Sequence, residues 1–140
     1  MILHFNYEEL TALKAGAQVF LDRESPACGS VLAPPESRAR VEALVPMLDG
    51  DLSLSSLEEL RQVKAAVDSI VQCLRVEMET TVVTTHAADE IAVSAYFDFA
   101  HGFTVSHRIG EMAAEMEALI ELVTGGEATT ETARTFHFPD

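Results

Sequence analysis

The chain has 140 residues, 48% of them apolar, enough for one folded domain with a real core and too hydrophobic for intrinsic disorder. Acids outnumber bases 23 to 9, and the formal charge of −14 repels phosphate backbones and anionic bilayers, so neither nucleic acid nor a membrane surface is an expected partner. No stretch approaches the roughly 18 consecutive apolar residues of a membrane helix. Met1 to Asn6 also lacks the basic start and apolar run of a signal peptide, so a cytoplasmic protein is expected.

Residues 2–5 fit a short strand. Asn6 and Glu9 then form a capping box, with Phe5 and Leu10 placed as a hydrophobic staple. Leu10, Leu13, Ala17 and Phe20 recur at spacings of three and four, which predicts a helix over 7–22 that tolerates Gly16 only if a neighbouring backbone packs closely there. Residues 23–34 are rich in Ser, Pro, Gly and Cys and read as a loop. Pro35 suits the first turn of a second helix over 35–47, carrying Val41, Leu44, Val45 and Leu48 and broken by Pro46. Ser55 with Glu58, or Ser56 with Glu59, caps a third helix over 56–74, whose stripe of Leu57, Leu60, Val63, Val67, Ile70, Val71 and Leu74 is the cleanest amphipathic pattern in the chain.

The next segment changes period. Residues 76–85 are rich in Val and Thr, which fit a pleated surface better than a helix. A three-residue hairpin loop around His101-Gly102 would pair Phe99 with Phe103, Phe97 with Val105 and Val93 with Ile109, sorting nearly every apolar side chain to one face. The rival reading is a single helix from about 87 to 124, with Ala92, Ala95, Phe99, Ile109, Ala113, Met116 and Ile120 near one seam. His101-Gly102 and Phe103 to Ser106 are poor helix formers, so the register argument favours the hairpin. A fourth helix over 110–124 follows, ended by Gly125-Gly126. The expected fold class is therefore α+β: a three-stranded antiparallel meander over about 76–109 packed against four helices. Phe97, Phe99, Phe103, Val105, Leu60, Val67, Ile70, Leu74, Leu10, Leu13 and Met116 should be buried. The domain spans 1–126, and 127–140 is a polar tail, disordered or adding an edge strand.

Nucleotide-binding and zinc-protease motifs are absent, and no cofactor is expected. Cys28 and Cys73 lack metal-type spacing and, without a secretion signal, read as free thiols. Two histidine–carboxylate sets could carry chemistry: His107, Glu111 and Glu115 as ligands for a divalent cation, and His86 near Asp89 and Glu90 as a general base. A small enzyme or metal protein would need His86, Asp89, His107 and Glu111 brought together by the fold. The alternative signal is charge. Between Arg108 and Arg134 there are six glutamates and no base, including the like-charge pairs Glu111/Glu115 and Glu117/Glu121. These four mark the expected partner-binding surface of a non-catalytic binding or assembly protein that engages a basic partner. The exposed sheet edges at 103–109 or 76–85 would pair across a two-fold axis, making a homodimer.

Overall fold

The computed structural model describes residues 1–22, 34–85 and 90–124. Among these, four α-helices hold nearly all the chain: α1 (Tyr7–Leu21), α2 (Pro35–Leu44), α3 (Leu57–Thr85) and α4 (Glu90–Thr124). A 3-10 turn at Val45–Met47 follows α2, and two strands of two residues each, β1 (Ile2–Leu3) and β2 (Leu52–Ser53), pair antiparallel with Leu3 opposite Leu52.

The three-stranded meander is not there. Residues 76–85 continue α3 and residues 90–109 belong to α4, so the architecture is mainly helical with a minimal β ribbon. Propensity differences between Thr or Val and good helix formers are only a few tenths of a kcal/mol per residue, and tertiary packing overrides them. The hydroxyls also find partners on the helix itself: Thr81 Oγ1 donates to the Glu77 carbonyl and Thr104 Oγ1 to the Ala100 carbonyl.

α3 and α4 form a long antiparallel hairpin. Arg61 near the start of α3 pairs with Glu117 near the end of α4, Ser106 donates to Asp68, and Leu74 packs at Gly102. Gly102 is therefore not a turn residue. It is buried, and a Cβ there would lie 3.0 Å from Leu74 Cδ1 and 3.3 Å from Val71 Cγ2. Gly16 serves the same contact from α1, where a Cβ would lie 2.6 Å from Ile70 Cγ2 and 2.9 Å from Leu74 Cγ. Two mid-helix glycines thus let α1 and α4 close on the same stretch of α3.

The local signals at the helix starts match the expectation. The Asn6 side chain accepts from the Glu9 amide (2.8 Å) while Glu9 Oε1 accepts from the Asn6 amide (2.9 Å), completing the capping box. Ser56 Oγ accepts from the Glu59 amide, and the Glu59 carboxylate reaches back to the backbone and hydroxyl of Ser55. Pro35 stands at the first turn of α2, and Pro46 converts its end to the 3-10 turn.

The core runs along the three-helix seam. Leu13 and Ala17 of α1, Leu60, Val67, Ile70 and Leu74 of α3, and Val105, Ile109 and Ala113 of α4 are buried together, joined by Val41 and Leu44 of α2 and by Leu3, Leu52 and Leu54 of the ribbon. Phe99, Leu10 and Met116 are half-buried against it. Phe97 and Phe103, expected in the core, are 54% and 55% exposed. Cys73 is buried and disulfide-bonded, which corrects the free-thiol expectation; Cys28 lies outside the described residues. Since disulfides persist mainly in oxidising compartments, the cysteines no longer favour a cytoplasmic setting. No described helix is long and apolar enough to cross a membrane. The tail at 127–140 and the loop at 23–33 lie outside the described residues.

The outer face of α4 as a candidate interaction surface

α4 has 35 residues, and among the described residues its buried positions gather on one side. Successive residues turn by about 100° on an α-helix, so Gly102, Val105, Ile109 and Ala113 share the buried side, and Ala92 is buried nearer its edge. Val93, Phe97, Ala100, Phe103 and His107 follow one another at spacings of three and four on the outward side, with Tyr96 beside Phe97. The rings are ordered among themselves. Tyr96 and Phe97 meet edge to face at 5.7 Å between centroids, and the Phe103 and His107 rings stack nearly parallel at 6.5 Å. His107 Nε2 also lies 2.7 Å from Glu111 Oε1, which carries the face on into the acidic part of the helix.

One ion pair, buried on its carboxylate side, ties α4 to α1. The Glu9 side chain is 3% exposed. Arg108 grips it with two nitrogens, Nη2 to Oε2 at 2.6 Å and Nη1 to Oε1 at 3.1 Å, and Nη1 also donates to the His4 carbonyl at 2.9 Å. Burial alone would raise the Glu9 carboxyl, but the Arg108 guanidinium and the Asn6 amide together hold it below its ordinary value. Glu9 thus caps α1 and anchors α1 to the middle of α4. Sequence offers almost no trace of this pair, since the partners are 99 positions apart.

The four glutamates expected to form one binding surface do not share a face. Glu115 and Glu117 project about 200° apart on the helix, so Glu111 and Glu115 continue the aromatic face while Glu117 and Glu121 form a second row. Glu111 pairs with His107, and Glu117 with Arg61 at 2.8 Å. Glu115 and Glu121 are exposed and have no ion pair among the described residues. Of the enzyme set, the two described members, His107 and Glu111, meet. Residues 86 and 89 lie outside the described residues, and the α4 helix separates His107 from its first residue, Glu90, by about 25 Å at 1.5 Å per residue.

A groove between α1, α3 and α4 gathers further carboxylates: Glu77, Glu90 and Asp98 line it with Thr81 and Ser94. Burial raises the Asp98 carboxyl, partly offset by His101, and Glu77 Oε2 is buried with no hydrogen-bond partner among the described residues. Yet no group of three or more His, Cys, Asp or Glu among the described residues could hold a metal ion. The dimer route through paired sheet edges is also gone, because 76–85 and 103–109 are helical. The outer α4 face escaped the sequence reading because its 3-4-3-4 spacing is visible only once the helix is taken as continuous. No family model matches the chain, and no curated protein or solved structure is significantly similar to it.

Proposed function

We propose that this protein is a non-catalytic binding and assembly module that engages a basic protein partner through the C-terminal third of α4. The observation that carries the reading is a set of small penalties taken at one place. Glu111/Glu115 and Glu117/Glu121 are like-charge pairs one turn apart, each unfavourable by about 0.2–0.5 kcal/mol in an isolated helix. The last turn of α4 carries no base, and Glu121 in that turn also faces the negative end of the helix dipole. Of the four, Glu117 pairs with Arg61 and Glu111 meets the His107 ring, while Glu115 and Glu121 have no ion pair among the described residues. A basic partner surface laid along either glutamate row relieves the repulsion within that row, and the chain's charge of −14 speeds the encounter.

The test is affinity capture from extract of the source cells on immobilised protein, comparing the native chain with the double variant Glu115→Lys, Glu121→Lys. The expected outcome is a basic protein held at about 50 mM salt, released as the Debye length shortens by about 300 mM, and lost with the double variant. Retention that is indifferent to both the reversal and the salt would end this reading.

A further inference from the structure

A second surface lies upstream of the glutamates. Within residues 91–110, in a chain with 23 acids, the only acid is Asp98, and Asp98 lines the inner groove rather than the outer face. The outer face there carries Val93, Tyr96, Phe97, Ala100 and Phe103, with half of each aromatic ring surface open to solvent. Charge depletion with aromatic enrichment is the composition of an interface centre, not of a solvated helix.

We propose that a second copy of this chain covers this face, with the two α4 helices antiparallel across a two-fold axis at Ala100. This deepens the assembly half of the function proposed above, and it uses different residues from the basic-partner half. Two features single out a second copy. The first is self-complementarity. An axis at Ala100 sets Phe97 of one helix against Phe103 of the other, Tyr96 against Thr104, and Val93 against His107, so each ring meets an apolar or small polar group. Alanine at the crossing point lets the helices approach to the short end of the usual 8–10 Å, and the phenylalanines pack on both sides of it. The second is charge. Two copies of a −14 chain repel, and from Val93 to His107 the outer line holds no carboxylate, the first being Glu111 at the His107 end. Three half-exposed rings and Val93 offer on the order of 400 Å² per copy, about half of a standard interface side, so the dimer is weak and dissociates on dilution.

Sedimentation equilibrium on the full chain from about 1 to 200 µM, at about 50 and 500 mM salt, reads the assembly. The expected result is a monomer–dimer equilibrium that tightens several-fold with salt, the opposite sign from capture of a basic partner. Phe103→Glu and Tyr96→Glu each weaken it at least ten-fold, while Tyr7→Glu, at a still more exposed ring on α1, leaves it unchanged. Both positions are exposed, and far-ultraviolet circular dichroism checks that the variants remain folded. Position is read by oxidative cross-linking. Ala100→Cys forms a disulfide-linked dimer, whereas Thr104→Cys does not, because its two-fold mate lies about 12 Å further along the helices. A single-chain mass across the whole range, a dimer indifferent to Phe103→Glu and Tyr96→Glu, or linkage favoured at 104 over 100 would each overturn the proposal. None of these would touch the salt-weakened binding of a basic partner.

Discussion

Three glycines on helices separate the energetics of packing from those of helix propensity. Glycine to alanine inside a helix gains about 1 kcal/mol from reduced backbone entropy, and this gain is much the same at positions 16, 102 and 110. What differs is the space for the new methyl. At Gly16 it would sit 2.6 Å from Ile70 Cγ2 and 2.9 Å from Leu74 Cγ. The first is a branch methyl fixed by its helical rotamer and the second is one bond from Leu74 Cβ, so neither can swing away and α1 itself must retreat. Overpacking of that kind costs about 3 kcal/mol, the upper end of its range, for a net loss of about 2. At Gly102 the nearest atom is the terminal Cδ1 of Leu74 at 3.0 Å, which can rotate, so the two effects nearly cancel. At Gly110 the new methyl meets only Lys64 Cε at 3.4 Å, on a flexible side chain, and the full gain of about 1 kcal/mol survives.

Gly16→Ala should therefore melt lower than the native chain, Gly102→Ala close to it, and Gly110→Ala higher. The span of about 3 kcal/mol corresponds to roughly 10 °C for a chain of this size. Urea titration monitored by circular dichroism gives the same ordering as free energies. Gly16→Ala combined with Leu74→Ala should cost less than the sum of the two, because the truncated leucine makes room for the methyl. Equal melting temperatures for Gly16→Ala and Gly110→Ala would refute the close approach of α1 to α3.

The remaining expectations concern the ion pair and the sulfur. Arg108→Ala strands the Glu9 carboxylate; a fully buried pair broken this way costs 3–5 kcal/mol, and because the Arg108 side chain is 37% exposed the loss should be nearer about 2, recovered in part by Glu9→Gln in the same chain. The Glu9 carboxyl is held low in the fold, so its contribution is complete above the ordinary carboxylate range and lost as pH falls through the lowered value; urea midpoints should drop as pH falls into and below the ordinary carboxylate range, and less steeply in the double variant. Asp98 has the opposite sign, since a raised carboxyl favours the fold below the ordinary range and loses that contribution as pH rises through the raised value; Asp98→Asn should therefore stabilise the protein near neutral pH, and a loss there would contradict its placement. Cys73 should resist alkylation in denaturant until a reductant is added, and peptide mapping that finds it labelled without reductant would exclude the disulfide.

How far the sequence speaks depends on the range of each interaction. The capping box at Asn6 and Glu9, the start of α2 at Pro35, its break at Pro46 and the stripe from Leu57 to Leu74 are set by groups within a turn or two, and all are legible. The continuation of α3 beyond Leu74 is not, because Val76 to Thr85 has only a weak local preference, and there the helix that begins with the Leu57 stripe runs on. Glu9 with Arg108, and Gly16 and Gly102 with Leu74, are invisible for the same reason: each depends on chain segments that only the fold brings together.

The difference at His101-Gly102 has a more specific cause. A hairpin there gives Phe97 and Phe103 an apolar side to share with Phe99 and Val105. In a helix Phe99 and Val105 turn inward, and Phe97 and Phe103 are left outside. Period-2 order was thus the by-product of two helical faces that are both apolar, one covered by α1 and α3 and one uncovered among the described residues. A helix apolar all round belongs in the middle of a larger assembly, since amphipathic surface helices keep a polar side. Disagreement between local pattern and fold is expected where a surface serves something other than the chain's own core. On that ground the residues that misdirect the reading of α4 and the residues proposed to meet a second copy are the same ones, and a single substitution at Phe103 probes both.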